Sequence, residues 1–354
     1  MKVALIFILM LLFVKSKVSF VPERLLELKR EAMVKNYHPL ENEDLIISAS
    51  DLVEVGAGTE TFYFREVFTS VCESDKCYPV RITFYWNLIG DFVGFELPPG
   101  EELTKTDHQP FTQAEYEKLN KALNDPYSRL RYYSIGNLVN EPDSGTGVDA
   151  ISGATNKEVL DIVVEGAVYT FHTLWNLANG PVKKKIKSIS GASLSYDVLF
   201  QLLYHENPDY IIFAIKAIQE RELQNSDFYL RLYELYEFED EALANFAMNN
   251  IPIEILQSSN YQIKIIESLK NSDFSNRVIL FNKIKTFKIF SFPLLEYLAV
   301  LMHEVDDWQK VQILQIINMS GKMSEIVKGE INKLKKSENR RILKEIETIE
   351  RDNF

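Results

Sequence analysis

Residues 148–159 read VDAISGATNKEV and bring an aspartate, two hydroxyl side chains and a glycine together within seven positions. Apolar residues then recur at every fourth position, which predicts a long helix over about residues 157–177. Thr155 is therefore expected where this helix begins. There the free N–H groups of the first turn and the positive end of the helix dipole stabilise negative charge. The pattern favours an anionic group, such as a phosphate, held at the Thr155 hydroxyl.

The sequence Asp149-x-x-Ser152-Gly153-Ala154-Thr155 before a predicted helix resembles the flavinylation motif of the FMN-binding domain family. Its members include the C subunit of sodium-pumping NADH:quinone oxidoreductase and the G subunit of the Rnf complex. In that family the last threonine carries FMN as a phosphoester, which a separate flavin transferase installs. The resemblance covers about residues 60–180, roughly a third of the chain. It implies covalent FMN on Thr155.

The other motif residues have a physical place in this hypothesis. Gly153 lets the backbone turn tightly and lets a bulky cofactor or transferase approach, and Ser152 and Ala154 are small for the same reason. Asp149 either binds a metal in the transferase complex or orients the loop, and the sequence does not decide between these roles.

Two simpler interpretations accompany the motif. Thr155 alone would be an ordinary helix N-cap, with Glu158 completing a capping box. A second S-G-A-S sequence, at residues 190–193, has Lys187 where the motif has its aspartate, and we expect it to be an ordinary helix start.

His108 is the remaining candidate for a cofactor contact. It lies in LTKTDHQPF, residues 103–111, which replaces the glutamate-threonine-proline-glycine stretch often found in the family. His108 either lies near the edge of the flavin and tunes its redox state, or is a loop histidine paired with the neighbouring Asp107.

The N-terminal residues predict the compartment. Residues 3–14, VALIFILMLLFV, are twelve apolar residues that follow a short basic start. A bilayer-spanning helix needs about 20 apolar residues, whereas a secretory signal needs about 7–15. We predict an export signal over residues 1–19, cleaved near Ser19, and a protein on the periplasmic or extracellular face of the cytoplasmic membrane. The alternative is an uncleaved N-terminal anchor, which would give the only membrane association expected.

The charge balance excludes one class of partner. The chain of 354 residues has a formal net charge of -12. Such an acidic protein is not attracted to the phosphate backbone of nucleic acid. We therefore expect no nucleic-acid partner.

The pattern of residues 20–187 predicts an α+β FMN-binding domain. TETFYFREVFTSV alternates as a strand does, and VRITFYWNLIGDFVGFEL predicts a hairpin. FTQAEYEKLNKAL predicts a helix with Thr112 as N-cap and Glu115 completing a capping box.

Residues 188–354 predict an all-α, HEAT-like helical-repeat domain. Amphipathic helical segments follow one another with almost no strand pattern. The tetrapeptide NSDF occurs at residues 225–228 and 271–274, and this interval of 46 residues fits the roughly 40–47 residues of a HEAT or armadillo unit. We expect this domain to dock a partner, with an acidic surface around residues 233–241.

These patterns together favour an electron-transfer flavoprotein over a stand-alone enzyme. The flavin would relay electrons between protein redox partners outside the cytoplasmic membrane, after a flavin transferase has attached it. Two alternatives remain: a non-redox exported scaffold that uses the helical repeats, and an exported flavin reductase with its own small substrate.

Cys72 and Cys77 are the only cysteines of the chain, and we predict that they form a disulfide. Disulfides persist in exported proteins, and these two cysteines close a short loop. Alkylation under denaturing, non-reducing conditions should label neither thiol of the exported protein. Full labelling of both would contradict the prediction, unless prior oxidation with a mild disulfide reagent restores protection and identifies a redox-active pair.

Overall fold

The computed structural model describes residues 18–31, 35–37, 46–71, 78–105, 108–134, 137–138 and 159–353. The apolar N-terminal segment, both cysteines and all five motif residues from Asp149 to Thr155 lie outside these ranges. The chain divides into two compact units, Met1–Arg221 and Glu222–Phe354. Within the described ranges, no helix has both the length and the apolar character needed to cross a bilayer.

The first unit is built on an antiparallel sheet of six described strands in the order β1-β3-β4-β5-β6, with β2 paired to the other end of β4. The strands are β1 (Lys35–Tyr37), β2 (Ile46–Ala49), β3 (Leu52–Val55), β4 (Phe62–Thr69), β5 (Val80–Asn87) and β6 (Phe92–Glu96). The helices of this unit are α1 (Glu23–Glu31), α2 (Gln113–Leu123), α3 (Val168–Asn179), α4 (Pro181–Ser193), α5 (Tyr196–Leu202) and α6 (Pro208–Glu220).

The second unit is helical throughout its described residues. Its helices are α7 (Ser226–Phe238), α8 (Glu241–Asn249), α9 (Ile253–Leu256), α10 (Ser259–Asn271), α11 (Phe274–Ile284), α12 (Phe292–Leu301), α13 (Asp307–Ser320), α14 (Glu325–Leu334) and α15 (Arg340–Asn353). An antiparallel sheet with helices followed by an all-helical region confirms the coarse α+β and then α prediction. The boundary predicted between residues 187 and 188 falls inside α4, and the two compact units divide later, between Arg221 and Glu222.

The longest strand pairing confirms the predicted strand and hairpin. β4 and β5 pair from Phe62↔Asn87 to Thr69↔Val80, and β5 continues through a short turn into β6. The Asn87 side-chain oxygen accepts hydrogen bonds from the backbone N–H groups of Ile89 and Asp91, at 3.1 and 2.9 Å. This side chain replaces the turn's missing backbone partners, which explains why the run of apolar residues breaks here.

Helices cover both faces of the sheet. One face, which includes Ile82, Phe84 and Trp86, forms a large apolar core with α2, α3 and α4. The opposite face carries Phe62 and Tyr85, against which the leucines of α1 pack. Because both faces are covered, β5 is almost continuously buried rather than alternately buried and exposed.

The residues on both sides of the predicted cleavage site extend the sheet. Phe20 N–H donates to the Phe95 carbonyl at 2.9 Å, and Leu97 N–H donates to the Val18 carbonyl at 3.0 Å, so residues 18–20 lie along the outer edge of β6. Gly94 permits this approach, since a Cβ at that position would lie 2.3 Å from the Phe20 carbonyl oxygen. Cleavage after Ser19 would remove the Val18 half of this pairing.

The helix predicted over residues 157–177 is wrong in its first half. Residues 159–167 form turns, and α3 begins only at Val168. The turns are closed by short-range bonds such as Ile162 N–H to the Val159 carbonyl, and Gly166 has a φ of 72°, a conformation outside the right-handed helix. By contrast, the predicted capping box of Thr112 and Glu115 is present at the start of α2.

The second S-G-A-S sequence is also placed differently from the prediction. Residues 190–193 form the last turn of α4 rather than a helix start, and Ser195 is the residue that caps the next helix. The Ser190 side chain is buried and engaged with Tyr63 at 2.9 Å, so this sequence has a packing role inside the first unit.

The helices from α5 onward alternate between two series, apart from the short α9. The second series is α6, α8, α11, α13 and α15, and each member begins after an Asp or Asn whose side chain accepts a backbone N–H of the first turn. These caps recur every 33 residues, at Asn207, Asp240, Asp273, Asp306 and Asn339. Buried positions recur at the same interval in both series: Leu199, Leu232, Ile265, Leu298 and Ile331, and Ala214, Ala247, Leu280, Ile313 and Ile346.

This interval replaces the one inferred from the NSDF tetrapeptide. In the first copy Asn225 caps α7, whereas in the second copy Asp273 caps α11, a helix of the other series. The two copies are therefore not equivalent positions, and 46 residues is not the structural period. Each copy supplies an N-cap, although the other helices of the first series follow a serine rather than Asn or Asp.

We predict that the recurring buried positions stabilise the second unit more than their neighbours do. Leu298 is fully buried in α12, whereas Val300 on the same helix is 45% exposed. Leu298→Ala should lower the free energy of unfolding by about 2–5 kcal/mol because it leaves a cavity, and Val300→Ala should change it by less than about 0.5 kcal/mol. Chemical denaturation of both variants measures this, and equal effects would contradict it.

Candidate functional site

The motif lies on a segment that the first unit holds at both ends. Leu138, just before it, and Val159, just after it, are fully buried in the same apolar core between the sheet and α2–α4. The residues that flank positions 139–158 on both sides are thus fixed in the core. The motif residues themselves lie outside the described ranges, and the structure does not place them relative to one another.

Polar contacts fix the residues that follow the segment. The Lys118 ammonium donates to the Val163 carbonyl, which ties these turns to α2. Arg129 forms two hydrogen bonds to the Asp161 carboxylate, at 2.5 and 2.7 Å. That pair is solvent-exposed, so we expect it to contribute no more than about 1 kcal/mol.

Three side-chain hydrogen bonds hold helix α3 in place. The Trp86 indole on β5 donates to the Ala178 carbonyl at 2.7 Å, and the Trp175 indole donates to the Asp125 carbonyl at 2.9 Å. The Asn179 side chain donates to the Leu123 carbonyl at 2.9 Å. These bonds join the C-terminal half of α3 to the sheet and to the end of α2. Trp86 and Trp175 are both buried in the core.

His172 of α3 contacts the backbone at Tyr133, shortly before the first end of the segment in the chain. Its Nε2 atom lies 2.8 Å from the Tyr133 carbonyl oxygen and 3.1 Å from the Asn176 amide nitrogen. Burial lowers the pKa of His172 below its usual value, more than the hydrogen bond to the Tyr133 carbonyl raises it. His172 is therefore a neutral donor at pH 7 and holds the backbone five residues before Leu138.

The position of α3 bears on how an anion at Thr155 would be stabilised. α3 begins at Val168, thirteen residues after Thr155, and its N-cap Ala167 forms no side-chain capping bond. The expectation that this helix begins at Thr155 is therefore wrong. Two large apolar side chains before and after the segment in the chain are exposed, Tyr132 and Leu160.

His108 lies in a small hairpin closed by the bridge between Thr104 and Pro110. Its φ is 59°, which is uncommon for a residue other than glycine and marks a position of local strain. The imidazole lies against the exposed Tyr78 ring, with ring centroids 4.6 Å apart. Tyr78 directly follows Cys77, so His108 is brought to the end of the cysteine-containing loop, a partner that sequence reasoning missed.

A buried carboxylate on the sheet was also missed. Glu54 accepts hydrogen bonds from Tyr37 at 2.7 Å, Lys35 at 3.0 Å and Tyr63 at 3.1 Å, and Tyr63 in turn contacts Ser190 of α4. Burial alone would raise the pKa of Glu54, but these hydrogen bonds and the Lys35 charge together lower it. Burial and the Glu54 charge raise the pKa of Tyr37 to about 12. The cluster holds one ionised carboxylate among neutral phenols and joins three strands to α4.

A similar cluster lies under α1. The Tyr85 hydroxyl donates to Glu96 at 2.5 Å, and the Lys29 ammonium lies 2.6 Å from the Tyr85 oxygen and 4.2 Å above the Phe64 ring centre. Burial raises the pKa of Tyr85, and the Glu96 hydrogen bond and charge add to this. Both clusters hold protonated phenols against carboxylates, and their role is to fasten helices to the sheet.

Similarity to known proteins does not identify this site. The chain matches no family model, no curated protein and no solved structure. Within the described ranges, no three His, Cys, Asp or Glu side chains are grouped so that they could hold a metal ion. The functional inference therefore depends on the motif and on the described surroundings of its segment.

We predict that His172 makes the stability of the first unit depend on pH. The unfolded histidine takes up a proton as pH falls below about 6.5, whereas the folded one resists protonation, so stability should fall from there until the pH reaches the folded pKa. The slope can reach about 1.4 kcal/mol per pH unit. His172→Gln should flatten it, and His205→Gln, at an exposed position, should not.

Denaturant unfolding at pH 7.5, 6.5 and 5.5 checks this expectation. Equal slopes for the parent protein and His172→Gln would show that His172 titrates alike in both states.

Proposed function

We propose that the protein is an exported electron-transfer flavoprotein that carries FMN through a phosphoester on Thr155. The observation that carries the proposal is the sequence Asp149-x-x-Ser152-Gly153-Ala154-Thr155. The burial of Leu138 and Val159 supports it, since a segment held at both ends can present a threonine to a flavin transferase while staying attached to a rigid unit.

The chain's own residues have distinct tasks in this proposal. The Thr155 hydroxyl forms the ester, and Gly153, with its small neighbours Ser152 and Ala154, leaves room for the cofactor and for the transferase. Asp149 either orients the segment or binds a metal in the transferase complex. When bound, FMN supplies one-electron or two-electron transfer. A covalent link suits an exported carrier, because a cofactor lost outside the cytoplasm is not readily replaced.

The surroundings of the segment would shape the redox behaviour. His108 is held by its hairpin in a strained conformation against Tyr78, and strained backbone is often retained where it serves a site. We propose that this histidine faces the flavin edge and affects its potential. Arg129 and the exposed Tyr132 lie in the described stretch before the first end of the segment, and side chains of these kinds suit a ligand with a charged phosphate and a flat ring.

We propose that the helical region is a helical-repeat docking module for protein redox partners, not a second cofactor site. It has no cysteine, and its histidines after residue 187 are only His205 and His303, of which His303 contacts Glu330 at 2.8 Å. The 33-residue interval is shorter than a HEAT unit and close to the 33 or 34 residues of ankyrin and tetratricopeptide units. Stacked helix pairs of this kind give extended binding surfaces.

An acidic patch on this module favours a basic partner. Four acidic residues contribute to it, and all four are exposed: Glu237, Glu239, Asp240 and Glu241. Because such charges act over about 10 Å at 0.1 M salt, association through this patch should weaken as salt is raised. The proposed donor or acceptor protein therefore presents a basic face.

We predict that Thr155→Val abolishes flavin attachment in a host that has the flavin transferase. Valine has nearly the shape of threonine but no hydroxyl to esterify. The measurement is flavin fluorescence of the denatured exported protein in a gel, where only covalent flavin remains. The matched control is Ser193→Ala in the second S-G-A-S sequence, which should fluoresce like the parent protein.

Other results would favour one of the alternative functions or another attachment site. A parent protein without fluorescence would favour the non-redox scaffold, and a fluorescent Thr155→Val protein would place the ester elsewhere. Oxidation of the bound flavin by a small substrate, with no protein partner, would favour the reductase.

A further inference from the structure

The outer faces of α13 and α15 enclose a cavity of about 390 Å³ in the second unit. Its walls come from successive turns of the two helices, and corresponding wall positions such as Trp308 and Arg341 are 33 residues apart. A cavity of this size lies within the range that accommodates one or two side chains of a bound ligand. The lining residues are Asp307, Trp308, Val311, Gln312, Gln315, Asn339, Arg341, Lys344 and Glu345.

The floor of the cavity is held in place by a chain of hydrogen bonds. The Lys285 ammonium of α11 donates to Gln315 at 2.8 Å and also to Gln312, and Gln315 donates to Glu345 of α15 at 3.0 Å. This chain runs across three successive helices of the same series. It fixes the rotamers of the floor before any ligand binds, which lowers the entropy lost on binding.

Trp308 lines the cavity, and the Phe274 ring lies beside it. The Trp308 ring is 43% exposed and the Phe274 ring 54% exposed, and their centroids are 5.8 Å apart. Trp86 and Trp175, the other two tryptophans of the chain, are buried in the first unit. Exposed tryptophan beside a cavity is the kind of residue that contributes most to binding when a ligand covers it.

The acidic side chains around the cavity have hydrogen-bond partners, whereas its two basic side chains form no ion pair with a described residue. Asp307 accepts from Lys310 at 2.8 Å and from Asn339 at 2.9 Å, and Glu345 accepts from Gln315. The exposed side chains of Arg341 and Lys344 form no ion pair with any described residue. The carboxylates of Asp307 and Glu345 already accept hydrogen bonds, whereas Arg341 and Lys344 have no ion-pair partner among the described residues. The cavity is therefore complementary to an anionic group.

We propose that this cavity binds an acidic peptide segment in which an aromatic side chain is followed directly by a carboxylate. The aromatic ring would cover Trp308 and Phe274, and the carboxylate would reach Arg341 and Lys344. The glutamine side chains of the floor suit the peptide's backbone amides. This surface is separate from the acidic patch at residues 237–241, and it would let the module hold a second, oppositely charged partner.

The test uses the full chain and an amidated octapeptide, Gly-Ser-Gly-Phe-Glu-Gly-Ser-Gly. Calorimetry measures the affinity, and acrylamide quenching reports on Trp308, because the other two tryptophans are buried. We expect binding that protects Trp308, with an affinity that falls as salt is raised. Peptides with Phe-Gln or Ala-Glu in place of Phe-Glu should bind at least about tenfold more weakly.

Paired variants separate the cavity from general surface charge. Arg341→Gln with Lys344→Gln should weaken binding at least about tenfold. The control, Lys336→Gln with Arg340→Gln, removes the same charge from exposed positions outside the cavity and should bind as the parent does. All four substitutions are at exposed positions, and thermal unfolding should confirm that they leave the fold intact.

Three results would overturn the proposal. One is that the Phe-Glu peptide does not bind at millimolar concentration. Another is that Phe-Gln binds as well as Phe-Glu, or that the control variant loses as much affinity as the cavity variant. The third is self-association of the peptide-free protein that Arg341→Gln abolishes in sedimentation, which would assign the cavity to a second copy of the chain.

Discussion

The first unit depends on the burial of β5 on both faces of the sheet. Two neighbouring residues of that strand point to opposite faces and each has a polar end that needs a partner. Trp86 donates to the Ala178 carbonyl of α3, and Tyr85 donates to Glu96 beside Lys29 of α1. A buried polar group left without its partner costs about 1–3 kcal/mol. These two side chains therefore determine where a helix can lie on each face, and the core beneath α3 also holds Leu138 and Val159, the residues that flank the segment carrying the motif.

Local signals in the sequence were sufficient for the hairpin of β5 and β6 and for the capping box of α2, because turn and cap residues lie within a few positions of one another. They were misleading between residues 159 and 167. Val159 and Val163 follow a helical spacing and are joined by a backbone hydrogen bond of 3.0 Å, yet this turn does not continue as a helix. The burial of both valines cannot distinguish an isolated turn from a helix. The contact of Tyr63 with Ser190 spans 127 residues and has no local signature.

The helical region shows how a regular structure can be hidden in an irregular sequence. Its period appears in the spacing of caps and of buried positions, but the residues at those positions change between Asp and Asn, or among Ala, Leu and Ile. Each helix pair offers an apolar face that its neighbour covers, so the pairs are stable only as a stack. The exposed positions are free to differ, which explains an acidic patch in one part of the unit and an aromatic and basic cavity in another.

Peptide mapping of protein exported by a host with a flavin transferase tests the central claim most directly. Trypsin cleavage after Arg131 and Lys157 releases residues 132–157, which contain the whole motif. The account predicts that fragment ions place the mass of FMN less one water on Thr155. An unmodified peptide, or an adduct on any other residue of it, would contradict the claim that this protein carries its flavin on Thr155.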